Sequence, residues 1–161
     1  MLHQSELQLF QLYREAEYQG VELLQRLSRK IVDPRLQIEL SHQIADETRH
    51  ALLWSEQICA FGGTLSPSRR VPRRRQAPCS DCATAQLILY AQLYVAEERL
   101  QQQYRAHLVR SAQAPHIEEI LKTILSDEGW HSSWVTQMLA KQEQCFGRTR
   151  VAAIINSFWN A

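Results

Sequence analysis

Two Glu-x-x-His motifs, Glu47-Thr-Arg-His50 and Glu128-Gly-Trp-His131, stand 81 residues apart, and a lone glutamate precedes each: Glu17 by 30 residues and Glu97 by 31. Residues three apart on a helix share a face, so each motif aims a carboxylate and an imidazole the same way. Four helices that each send one carboxylate into a bundle core, two of them adding a histidine one turn later, make a dinuclear metal site. The same residues at the surface would be ordinary Glu–His pairs, so burial and matched depth decide the reading.

The punctuation of the chain supplies the helices. Helix one is expected over residues 4–30. Asp33-Pro34 reads as an N-cap with proline at the first helical position, opening a helix over 34–60 that Gly62-Gly63 stops. From Thr64 to Pro78 there are three prolines and no periodicity, so residues 62–79 read as a crossover loop. A third helix, over 80–111, begins near Ser80 or Asp81, and Ala114-Pro115 opens a fourth over 115–145. Residues 148–161 form a C-terminal appendage with a short amphipathic helix. Pro34 and Pro115 share the 81-residue offset, as do Asp46 and Asp127, so the chain looks like one helical hairpin duplicated.

About 20 residues between the hairpins suffice to traverse a bundle of helices this long at ~1.5 Å rise per residue. A crossover of that length marks an up-down-down-up, ferritin-like four-helix bundle. Residues 1–161 are expected to form one all-α domain, and antiparallel pairing brings all four glutamates to one level.

Around Glu17 the positions three, four and seven away include Phe10, Tyr13, Gly20, Val21 and Leu24, whereas Glu15 is flanked by Gln8, Gln11, Gln19 and Glu22. Around Glu97 they are Tyr90, Leu93, Tyr94, Leu100 and Tyr104, while Glu98 lines up with Gln101, Gln102 and Arg105. The 81-residue offset favours Glu98 and the apolar stripe favours Glu97; the stripe takes precedence, with Glu98 as runner-up. Glu47 stacks with Leu40, Ile44, Ala51 and Trp54, and Glu128 with Leu121, Ile124, Leu125 and Val135. Four anionic carboxylates in such a core repel one another and lose their hydration, and two divalent cations cancel that charge. Carboxylates with two imidazoles form a hard, oxygen-rich set that suits iron or manganese over zinc.

At these residues the chain resembles the ferritin-like di-iron carboxylate superfamily over about residues 5–145. The resemblance implies a ligand set of Glu17, Glu47, His50, Glu97, Glu128 and His131 around two iron ions, with Fe/Mn as the other pairing. Asp46-Glu47-Thr48-Arg49-His50 is similar to the Asp-Glu-x-Arg-His motif of oxygen-activating members. That similarity gives Asp46 and Asp127 the role of orienting the histidines, with Arg49 in the same network. Ferritins generally lack the second histidine, which argues against plain iron storage. Rubrerythrins carry a further carboxylate where this chain has Leu100, and usually two cysteine pairs where it has only Cys79-x-x-Cys82. What the resemblance implies is thus a non-haem di-iron oxidase or oxygenase; its expected location, read from the absence of a leader and of a membrane span, is cytoplasmic. Its partners would be O₂, an electron donor and a small organic substrate, phosphorylated or carrier-bound among the options, with a homodimer also open. The alternative is a ferroxidase or rubrerythrin-like peroxidase, and a metal-stabilised structural bundle ranks last.

Other features carry less. Tyr13, Trp54, Tyr94, Tyr104 and Trp134 lie within two turns of the ligand positions, as core packing or as tuners of the centre. Gly20 and Gly129 sit inside helices near ligands, leaving room for a ligand or allowing close helix contact. Arg69, Arg70, Arg73, Arg74 and Arg75 make a basic loop that could take an RNA, an acyl-carrier protein or a phosphate-bearing substrate; without interleaved aromatics, a solvated segment is the favoured reading. Of the four cysteines, Cys59, Cys79, Cys82 and Cys145, three fall at one pole, and thiols are the expected state. His3, His42, His107 and His116 are assigned no role. No run reaches the ~18 apolar residues of a membrane span, and the start has neither a basic nor an apolar leader region.

Overall fold

The computed structural model describes residues 2–67, 82–111 and 114–160, with the side chains of Leu2 and His3 excepted. Five helices make up the described fold: α1 Leu2–Ser28, α2 Pro34–Ala60, α3 Cys82–Arg110, α4 Pro115–Phe146 and α5 Arg148–Trp159. The five loop arginines, Cys79, most of the expected crossover, the expected start of α3 at Ser80 or Asp81 and the side chain of His3 lie outside the described residues.

The helix boundaries have local causes. Asp33 caps α2 by accepting a hydrogen bond from the Arg35 amide at 2.8 Å, and Pro34 occupies the first turn, where its missing N–H costs nothing. Phe61 and the glycines close that helix, the Gly63 amide donating to the Ile58 carbonyl at 2.8 Å. Between α4 and α5 the chain turns on Gly147, whose φ of 82° suits a residue without a side chain.

Cross-helix bonds fix the directions. α1 and α3 run antiparallel, with Glu6 beside His107 at 3.2 Å at one end and Gln86 donating to the Lys30 carbonyl at the other. α2 and α4 also run antiparallel: Trp134 Nε1 donates to Glu39 at 2.5 Å, and Arg49 pairs with Asp127 at 3.0 Å. α1 packs on α2 and α3 on α4, while α5 lies across α3 and α4, burying Val151 and accepting Arg99 at its Trp159 carbonyl.

The core is two apolar clusters separated by a polar layer. Phe10, Tyr13, Trp54, Ile58, Tyr104 and Leu121 anchor one cluster. Leu24, Leu27, Leu40, Leu87, Leu93 and Val135 anchor the other. Glu17, Glu47, Glu97 and Glu128 occupy the layer between, because each interrupts a stripe whose flanking turns are apolar on both sides. Full burial of each large aliphatic side chain is worth roughly 1.5–3 kcal/mol, so the clusters hold the layer in place. No helix is long and apolar enough to cross a membrane among the described residues.

Candidate metal centre

All six residues singled out by the motifs converge. Glu17, Glu47, His50, Glu97, Glu128 and His131 are each 4% exposed or less. Their side chains form two overlapping groups, Glu17–Glu47–His50–Glu128 and Glu47–Glu97–Glu128–His131, and in each group one ligand atom per residue lies within 4.8 Å of the others. Glu47 and Glu128 belong to both. Either group can hold a metal ion. Glu98 is only half-buried and belongs to neither, so the apolar stripe, and not the 81-residue offset, locates the third carboxylate.

The imidazoles have a consistent polarity. His50 turns Nδ1 inward, 3.3 Å from Glu128 Oε1 and 3.7 Å from Glu17 Oε2. His131 turns Nδ1 inward, 3.2 Å from Glu47 Oε1 and 3.7 Å from Glu128 Oε2. Each outward nitrogen faces an aspartate of the opposite hairpin: His50 Nε2 lies 3.2 Å from Asp127 Oδ2, and His131 Nε2 lies 3.5 Å from Asp46 Oδ2. Arg49 ties the aspartates together, 2.7 Å from Asp46 and 3.0 Å from Asp127. Asp46 and Asp127 thus stand where the resemblance expects orienting groups, each serving the other half's histidine.

Proton affinities reflect four acids in a dry space. Burial raises Glu47 and Glu97 well above the carboxylate range, and the neighbouring carboxylates add to it, Glu17 and Glu128 for Glu47, Glu128 and Glu47 for Glu97. Burial disfavours the His50 cation, but Glu128 and Glu17 outweigh it and lift the imidazole to about 10. His131 is likewise raised against its burial, by Glu128 and Asp46. Glu128 is held below the usual range: burial opposes this, but the nearby Glu97 carboxyl and the His131 and His50 imidazoles prevail. Without metal, protons do the neutralising. They do it incompletely: Glu17 Oε2, Glu47 Oε1, both Glu128 oxygens, His50 Nδ1 and both ring nitrogens of His131 are buried with no aligned hydrogen-bond partner. Orphaned inward-facing acceptors of this kind fit a cation.

The surroundings refine the sequence reading. Among the phenols, Tyr104 is the one that touches the cluster: its hydroxyl donates to Glu17 Oε1 and accepts from Trp54 Nε1 at 3.0 Å. Trp54 is accordingly one bond removed from a carboxylate. Tyr13 packs on Trp54 and Tyr104 at centroid distances of 5.0 and 4.6 Å, and its hydroxyl donates to the Gln103 carbonyl instead. Tyr94 is partly buried against the cluster of Leu24 and Leu93, with no bond to a carboxylate among the described contacts.

Gly20 makes room. A Cβ there would meet Glu47 Oε2 at 2.5 Å, whereas one at Gly129 would meet nothing within 4 Å.

Two residues were under-read in the sequence. His107, assigned no role, is 2% exposed and packs on Phe10 and Tyr13. It lies three residues after Tyr104 and seven after Leu100, on the very stripe that selected Glu97. Gln101, taken for a solvent-facing residue, is buried, and its amide donates to the Glu128 carbonyl at 2.8 Å and to Ser132 Oγ. The described cysteines, Cys59, Cys82 and Cys145, are exposed free thiols.

No protein-family model matches this chain, and no curated protein matches its sequence.

Proposed function

We propose that the six-residue cluster is a dinuclear non-haem iron centre in a ferritin-like, up-down-down-up bundle, and that the protein is an oxidase or oxygenase using O₂ to oxidise an organic substrate. The observation that carries this reading is the overlap of the two Glu/His groups at Glu47 and Glu128. Two shared carboxylates, one further glutamate for each group and one histidine for each are the donor set that two hard, redox-active cations take. When bound, two irons supply the electrons that reduce dioxygen.

The chain's own residues supply the rest. Glu17 and His50 serve one group and Glu97 and His131 the other. Asp127 hydrogen-bonds His50 Nε2 and so orients that imidazole with Nδ1 inward, while Asp46 faces His131 Nε2 at 3.5 Å without an aligned bond. Tyr104 fixes the rotamer of Glu17, and Trp54 fixes Tyr104. The apolar clusters on either side exclude water, which strengthens the electrostatics inside. Catalytic turnover requires an external reductant and a substrate able to approach the centre.

The alternative is an iron- or peroxide-handling protein without an organic substrate. Anaerobic ferrous loading followed by rapid mixing with oxygen tests both. Two ions per chain and oxygen-dependent absorption changes are expected; one ion or none sinks the dinuclear reading. Acceleration by an organic substrate selects the oxygenase, while turnover with iron or peroxide alone selects the alternative.

A further inference from the structure

Gln43 is fully buried, and neither its amide oxygen nor its amide nitrogen has a hydrogen-bond partner among the described residues. Such a group is costly in a dry interior unless something pairs with it. Its position says what that is. Gln43 lies four residues before Glu47 and seven before His50, so all three share one side of α2. Glu39 and Asp46 of α2 meet Trp134 and His131 of α4, at 2.5 and 3.5 Å, and Gln43 falls between those two contacts. It therefore sits at the α2–α4 seam, one turn from the Glu47–Glu97–Glu128–His131 group.

We propose that Gln43 is a positioning residue for a small, hydrogen-bond-accepting exogenous ligand of that group, its amide N–H donating to the ligand. This rests on the metal reading above. The ligand is small because Gln43 has no exposed surface. It accepts hydrogen bonds because the carboxylates of the group already supply acceptors, so the amide N–H is the part of Gln43 that adds what they do not. Retaining an unpaired amide lowers the stability of the metal-free fold, a cost that a functional group imposes and packing alone would remove.

Azide is the probe. The iron-loaded parent, Gln43→Met and Gln43→Leu are titrated with azide and followed by the ligand-to-metal absorption band, with Gln57→Met as control. Gln57 is also buried with an unpaired Oε1, but lies seven residues beyond His50, toward the opposite cluster. Losing the donor is expected to weaken azide binding about ten- to hundred-fold in both Gln43 variants, leaving Gln57→Met at the parent value. Metal-free Gln43→Met is expected to unfold at a higher temperature than the parent. Azide affinity within about two-fold of the parent in both Gln43 variants overturns the inference alone, as does an equal loss in Gln57→Met. Metal-free Gln43 variants that fail to fold, or melt below the parent, assign Gln43 a protein partner and overturn it too. A parent that takes up no metal overturns the metal reading, and this inference with it.

Discussion

Gly20→Ala separates the demands of the helix from those of the cluster. In an unobstructed helix interior, alanine is preferred over glycine by about 1 kcal/mol, because the unfolded chain loses less freedom. At Gly20 the new methyl would sit 2.5 Å from Glu47 Oε2 and 3.1 Å from its Cδ. Glu47 is 2% exposed in a close-packed layer, so its carboxylate must shift by roughly 0.5 Å or more against neighbours that cannot give way freely. Overpacking of this kind costs about 1–3 kcal/mol, leaving a net loss of about 0–2 kcal/mol after the helix gain.

The larger effect falls on metal uptake, because the displaced atom belongs to a carboxylate shared by both groups. Affinity for at least one ion should fall about ten-fold or more, as it does when merely the groups that orient a ligand are removed. Gly129→Ala is the matched control: nothing lies within 4 Å of its Cβ, so it should gain about 0.5–1 kcal/mol and load normally. Urea unfolding of the metal-free proteins and metal analysis after ferrous loading give both numbers. If Gly20→Ala is stabilised and loads like Gly129→Ala, the close approach of α1 to Glu47 has no functional meaning and the reasoning fails.

Glu97→Ala should abolish full metal loading while Glu98→Ala is nearly silent, as measured by metal content per chain; the reverse would reinstate the internal repeat as the better guide. Tyr104→Phe leaves the Trp54 N–H buried without its acceptor and should cost about 1–3 kcal/mol in denaturant unfolding; an unchanged midpoint would mean that the bond carries no weight. In the metal-free protein His50 is raised from 6.5 to about 10, so its contribution is complete below about pH 6.5 and lost as pH climbs toward 10. Glu47, Glu97 and His131 are shifted in the same direction, so each adds protons to the native state relative to the unfolded one and metal-free stability should fall as pH rises. Metal must displace those protons, so uptake should release protons to an indicator dye and tighten with rising pH. Stability that rises with pH, or uptake without proton release, would contradict the assignment of protons in the cluster.

The ligand geometry was legible because it obeys a periodicity that a buried helix cannot evade. Glu97 and Glu98 are chemically equivalent, and only the apolar residues three, four and seven positions away distinguish them. The repeat misled at this point because α3 and α1 occupy different registers, which no offset in the sequence records. His107 and Gln101 were missed for the opposite reason: a stripe counted only by its apolar members passes over polar residues that complete the same face. Gln43, four residues before Glu47, was open to the same count. The touching phenol is Tyr104, and not Tyr13 or Tyr94, because χ rotation and neighbouring rings decide which hydroxyl reaches Glu17; spacing alone cannot. Asp46 and Asp127 were named as histidine partners, but their exchange between hairpins depends on how α2 meets α4, a tertiary fact.

That exchange makes the centre a clasp as well as a site. Each hairpin contributes a histidine that faces the other hairpin's aspartate, and each shared carboxylate comes from a different hairpin. Neither half of the chain can assemble a complete ligand set by itself. A cation held by Glu47 and Glu128 would therefore couple the opening of one hairpin to that of the other. Metal-free protein would then open along the plane between the hairpins before either hairpin unravels, and amide exchange would register this as a shared change in protection in α2 and α4.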